Sequence, residues 1–166
     1  QAGALLEGAA DARRLRRIPI GETRRMLDRV RAVEGLARER RGDLSILGWI
    51  EGPMAEFATL RSTQQALVDV MVEPALFEDC CATIVDNAIA WSRAQIEAGA
   101  DIVGVGDAAA SLLSPDLYRE RVLPWEQKLF AGIHEAGARV RLHICGNINH
   151  IVADMKDSGA DFIDLD

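Results

Sequence analysis

Residues 97–105 (EAGADIVGV), 135–143 (EAGARVRLH) and 157–165 (DSGADFIDL) repeat one grammar. Each has a helix end, a turn through glycine, a charged residue and a short run rich in branched apolar residues. The long amphipathic stretches between them make the pattern strand–helix–strand, which implies parallel strands joined by right-handed crossovers. Working outward, the spacing predicts strands over residues 44–50, 101–105, 139–143 and 161–165. Helices are predicted over residues 13–41 (broken near Pro19 and Gly21), 54–72, 74–98, 114–136 (kinked or split at Pro124) and 148–157. Four such units do not close an eight-stranded barrel, so a barrel reading leaves about half of it absent. An open doubly wound sheet is the alternative, but no GxGxxG turn joins a strand to a helix.

With 49% hydrophobic and 27% charged residues, the 166-residue chain has the composition of one soluble globular unit. No apolar run approaches the ~18 residues of a membrane helix, and the first residues lack a signal-peptide layout. A cytoplasmic protein is expected. The net charge of −7 argues against nucleic acid as the main partner. The basic residues between 13 and 41 alternate with apolar ones at helical spacing and read as a solvated helix face. Three cysteines, two of them adjacent (Cys80 and Cys81), do not suggest a disulfide framework. One of that pair is expected to face the core.

In a barrel, reactive groups gather at the C-terminal ends of the strands. Here that selects Glu51, Gly52 and Pro53; then Asp107 and Ser111; then His143, Cys145 and Asn147; and lastly Asp166. His143 and Cys145, two apart at a strand end, project to the same side, and imidazole nitrogen and thiolate sulfur both suit zinc. Spacing alone leaves the pair open between a structural and a ligating role. Asp107 is open between contacting a substrate and capping a helix or turn. His134 is expected at a helix surface, and His150 in capping or in solvent. Trp49, Trp91 and Trp125 are expected to be core or lining residues.

Three segments, residues 48–60 (GWIEGPMAEFATL), 99–129 (GADIVGVGDAAASLLSPDLYRERVLPWEQKL) and 141–166 (RLHICGNINHIVADMKDSGADFIDLD), resemble the uroporphyrinogen decarboxylase superfamily. The His-x-Cys-Gly-Asn at residues 143–147 is similar to its methylcobamide:thiol methyltransferase branch, which includes coenzyme M methyltransferases. The resemblance runs from Arg13 to Asp166 and implies a (β/α)8 barrel. It implies zinc held by His143, Cys145 and a later cysteine, which would activate a thiol to take a methyl group from a corrinoid protein. Asp107 and Asp166, the catalytic candidates, would shape or polarise the rim, while Gly52, Pro53, Ser111 and Asn147 would face the corrinoid cofactor. The decarboxylases of the superfamily work without metal and carry a tyrosine where Thr59 is placed here. Tetrapyrrole decarboxylation, or non-catalytic binding of a corrinoid or protein partner, are the alternatives. No later cysteine follows Cys145 in this sequence, so the chain by itself is expected to be inactive and to self-associate through open strand edges.

Overall fold

The computed structural model describes residues 4–12 and 14–165, without the side chain of Ala9. Asp166 and Arg13 therefore lie outside the described residues. A short helix α1 (Ala9–Ala12) precedes a 3₁₀ turn at Ile20–Glu22 and α2 (Arg24–Arg40). The basic helix begins later than the pattern suggested, because Pro19 disfavours helical backbone before it. Thr23 then starts α2, its hydroxyl accepting from the Met26 amide at 3.3 Å. Only Val33 and Ala37 of α2 are buried, so its charged side is solvated.

Strand β1 (Leu47–Glu51) leads into α3 (Pro53–Arg61), with Gly52 as the N-cap residue and Pro53 in the first turn. The single helix expected over residues 54–72 is two, because Ser62 takes φ +73° and α4 (Thr63–Val72) turns back. Arg61 fastens that corner. Its guanidinium donates to Asp69 at 2.6 Å and to the carbonyls of Leu6 (2.8 Å) and Glu7 (2.6 Å).

The long α5 (Pro74–Glu97) packs on α3, α4, β1 and, further on, the helix at Leu123–Glu135. That double cover buries both Cys80 and Cys81, where one was expected to be inside. Strand β2 (Ile102–Gly106) and a 3₁₀ turn (Ala108–Leu112) follow. Next come α6 (Pro115–Leu117), a π-helical turn (Tyr118–Val122) and α7 (Leu123–Glu135), running as one helix. Pro124 lacks the N–H that a regular turn would use, and the wider turn before it absorbs the defect.

Strand β3 (Arg139–His143) falls where its pattern placed it. The helix after it is shorter than expected: α8 (Val152–Met155) and a 3₁₀ turn, Lys156–Ser158. Asn147 Oδ1 accepts from the Asn149 amide (3.2 Å), a local turn that competes with helix there. The last strand is β4 (Phe162–Asp164).

The four strands pair in parallel in the order β1-β2-β3-β4. Parallel βα units in this sequential order are those of a (β/α)8 barrel, four of whose strands this chain supplies. One face of the sheet, with Ile50, Val103, Val105, Val140 and Leu142, is buried against the helices. The opposite face, the lumen side of a barrel, carries Trp49, Glu51, Arg141, His143, Phe162 and Asp164. Trp49 lies across Gly104 and Gly106; a Cβ at Gly106 would come within 2.8 Å of the indole.

Candidate metal centre

The strand register sets the site. Glu51, Gly106, His143 and Asp164 form one row across the sheet at the C-terminal ends of the strands. The ladder continues past that row, because the Gly52 amide donates to the Gly106 carbonyl (2.8 Å) and the Asp107 amide to the His143 carbonyl (2.9 Å). Within this row, on β3, His143 Nε2 lies 2.9 Å from Cys145 Sγ. Cys145 is exposed and His143 half-buried. The Trp49 ring is 6.3 Å from the imidazole, tilted 57°.

The donor set fits a zinc ion as far as it goes. One soft sulfur and one imidazole nitrogen stand close enough for a single ion to hold both. Among the described residues no cluster of three His, Cys, Asp or Glu side chains completes the site. His143 Nδ1 is buried without a hydrogen bond, and Asp164 Oδ2 stands 3.8 Å from it. The same oxygen is 2.6 Å from the Arg141 guanidinium.

The other two cysteines are buried in the core on α5, apart from the pair. Burial, then the charge of Asp79, pushes the Cys80 thiol up to about 11, and burial holds Cys81 well above the ordinary thiol range. Only a thiolate ligates or reacts. Brief alkylation of the native protein with iodoacetamide is therefore expected to label Cys145 and spare Cys80 and Cys81, read by peptide mass spectrometry. Equal labelling of all three would contradict this packing.

Asp107 faces away from the mouth. It is fully buried, and its carboxylate caps α3 by accepting from the Met54 amide (3.3 Å) and the Ala55 amide. Of the two roles left open for Asp107, the structure shows the cap. Gly52 and Pro53 are also buried and belong to that cap, not to an open surface. Ser111 bends back to its own turn, donating to the Ala108 carbonyl at 2.8 Å, with its hydroxyl close to Gly146. Asn147 is exposed beside Cys145. His134 bonds Asp161 at 2.9 Å, and His150 the Leu113 carbonyl at 2.9 Å, both apart from the pair.

Beneath the mouth lies a cluster that sequence patterning did not signal. The Glu126 carboxyl on α7 meets that of Asp107, and the Tyr118 hydroxyl donates to Glu126 Oε2 at 2.6 Å. No N–H or O–H reaches Glu126 Oε1. Burial raises both acids, Asp107 to about 7 and Glu126 well above its usual range. A proton shared between the two carboxyls is the expected donor for that oxygen, and the pH dependence of stability tests it. Glu126 escaped notice because an acid in a helix reads as surface.

Parallel βα units whose polar strand ends converge on one mouth define a barrel-enzyme scaffold. The chain belongs to the uroporphyrinogen decarboxylase (URO-D) family, whose model matches residues 4–166. It is 35% identical over 127 residues to the methylcobamide:CoM methyltransferase MtaA of Methanosarcina barkeri, covering 75% of this chain and 37% of that protein. It is 27% identical over 167 residues to the uroporphyrinogen decarboxylase of Nocardia farcinica, covering 97% and 46%. Among solved structures it is similar to a methyltransferase from Methanosarcina mazei, with 28% identity and a TM-score of 0.79 over 85% of this chain and 42% of that one. The chain thus spans less than half the length of these relatives. No helix among the described residues is long and apolar enough to cross a membrane.

Proposed function

We propose that this chain is part of a zinc-dependent methyltransferase that moves a methyl group from a methylated corrinoid protein to a small thiol. The observation that carries the reading is the His143–Cys145 pair, its donor atoms 2.9 Å apart on the lumen side of the strand mouth. The likeness to the methylcobamide:CoM methyltransferase supports the donor and acceptor classes. Zinc bound there supplies Lewis acidity that keeps a substrate thiol in its nucleophilic, deprotonated form.

The remaining work falls to the protein. His143 and Cys145 hold the ion, with a third ligand from outside this cluster. Trp49, flat over the glycines of β2, gives the lumen an apolar wall against which the thiol substrate is oriented and from which water is displaced. Asp107, by capping α3 and holding the His143 carbonyl, keeps the ends of β1, β2 and β3 in register.

Elemental analysis of the protein that carries this chain tests the reading. About one zinc per chain is expected in the wild type, lost in both His143→Ala and Cys145→Ala. A wild type that stays free of zinc after metal supplementation would sink it. The second reading, metal-free tetrapyrrole decarboxylation, would then lead. The match to the Nocardia farcinica decarboxylase along nearly the whole chain favours that reading.

A further inference from the structure

A buried ring nitrogen without a partner is costly to leave unmade. His143 Nδ1 is such an atom. Its two ring nitrogens have different prospects. Nε2 faces Cys145 Sγ at 2.9 Å, and Nδ1 faces Asp164 Oδ2 at 3.8 Å. If the ring proton sits on Nε2, it points at the sulfur and leaves a buried lone pair on Nδ1 with no donor. If it sits on Nδ1, it points toward a carboxylate, and the Nε2 lone pair is free on the sulfur side.

We propose that Asp164 is the positioning residue of the metal pair: its carboxylate accepts the Nδ1–H of His143 and so presents Nε2, beside Cys145, as the ligating atom. This rests on the zinc reading above. The placement follows from the fold. His143 and Asp164 are register partners on β3 and β4 and so share the lumen face. Arg141, one lumen-facing position earlier on β3, ion-pairs with the same Oδ2 at 2.6 Å and holds the carboxylate in place as an anion. Trp49 stands beside the ring and limits how far it can swing. The 3.8 Å gap is wider than a hydrogen bond, and a small ring rotation closes it when Nε2 is drawn onto an ion. A carboxylate behind a metal-binding imidazole typically changes metal affinity about 10–100-fold.

The test uses the full-length protein carrying this chain, with zinc alone as the probe, titrated against a chromophoric chelator. Asp164→Ala is expected to weaken zinc binding about 10–100-fold, and Asp164→Asn, which keeps an acceptor but loses the charge, by less. Thermal unfolding of each zinc-free variant checks that the fold is intact. Long-range ¹H–¹⁵N spectra of the zinc-free protein report the tautomer: Nδ1–H in the wild type, with the proton moving to Nε2 in Asp164→Ala. Arg141→Met breaks the ion pair but keeps the carboxylate, and is expected to cost less affinity than Asp164→Ala.

Unchanged zinc affinity in Asp164→Ala would overturn the inference and leave the zinc reading standing. Equal losses in Arg141→Met and Asp164→Ala would also overturn it, showing an ion pair that matters only for packing. Wild-type protein that takes no zinc would remove the zinc reading, and the tautomer would then decide the role of Asp164 alone.

Discussion

Gly52→Ala is expected to lower the unfolding free energy by about 3 kcal/mol. Its backbone is not the reason, since φ −77° and ψ 171° suit any residue. Space is. A Cβ at Gly52 would lie 2.5 Å from Asp107 Cγ and 2.6 Å from its Cβ and Oδ2. Asp107 has nowhere to retreat, because it is fully buried, caps α3 and meets Glu126. The Gly52 amide is fixed in turn on the Gly106 carbonyl. The methyl must therefore expel the carboxylate from the helix end, adding loss of a cap, about 1 kcal/mol, to the overpacking.

Urea unfolding of Gly52→Ala, Asp107→Ala and the double variant measures the coupling. The double variant is expected to be at least ~1 kcal/mol more stable than the sum of the singles predicts, since the methyl then occupies vacated space. The cycle also separates the two roles that the sequence left open for Asp107. A cap lost in Asp107→Ala shows as lower stability, whereas a rim acid would lose turnover with stability unchanged. Simple additivity, with Gly52→Ala within ~0.5 kcal/mol of wild type, would refute the packing argument.

The parts of this fold that were legible in the sequence are those set by local rules. The three Gly-containing turns placed β2, β3 and β4, and Pro74 and Ser114 marked the starts of α5 and α6, because glycine freedom, proline geometry and capping act within a few residues. The split at Ser62 was not legible. It depends on Arg61 reaching Asp69 and the Leu6 and Glu7 carbonyls, contacts that no periodicity encodes. At the site, His143 and Cys145 could be picked out by spacing, since period two is local. Asp164 could not, because its place opposite His143 depends on the register of β4, and the strand-end rule pointed two residues further, to Asp166. Glu126 was hidden for the same kind of reason: its burial is decided by the sheet beneath α7, and it faces Asp107 across 19 residues of chain.

That buried acid pair sets an unusual pH dependence. An unfolded chain releases the Asp107 proton near 3.8, the ordinary value for an aspartate, whereas burial in the folded protein, opposed by the α3 amides, holds it to about 7. Glu126 is raised as well, by burial and then by the Asp107 charge. A folded-state value above the unfolded one means the folded protein binds the proton more tightly. The pair's contribution is therefore fully present below about pH 4 and is lost as pH rises through 7, by at most about 4 kcal/mol from Asp107. Asp11 and Asp161, both held below the usual carboxylate range by hydrogen bonds, work in the opposite direction, so the wild-type curve alone would mislead. The comparison with Glu126→Gln isolates the pair. Its amide donates to an ionised Asp107 while its oxygen still accepts from Tyr118, so no shared proton is needed. Glu126→Gln is expected to match the wild type to within ~1 kcal/mol at pH 5 and to exceed it by about 2 kcal/mol at pH 8, measured by urea unfolding. Parallel stability curves from pH 5 to 8 would show that the two carboxyls do not share a proton, and the orphan Glu126 Oε1 would then need a different donor.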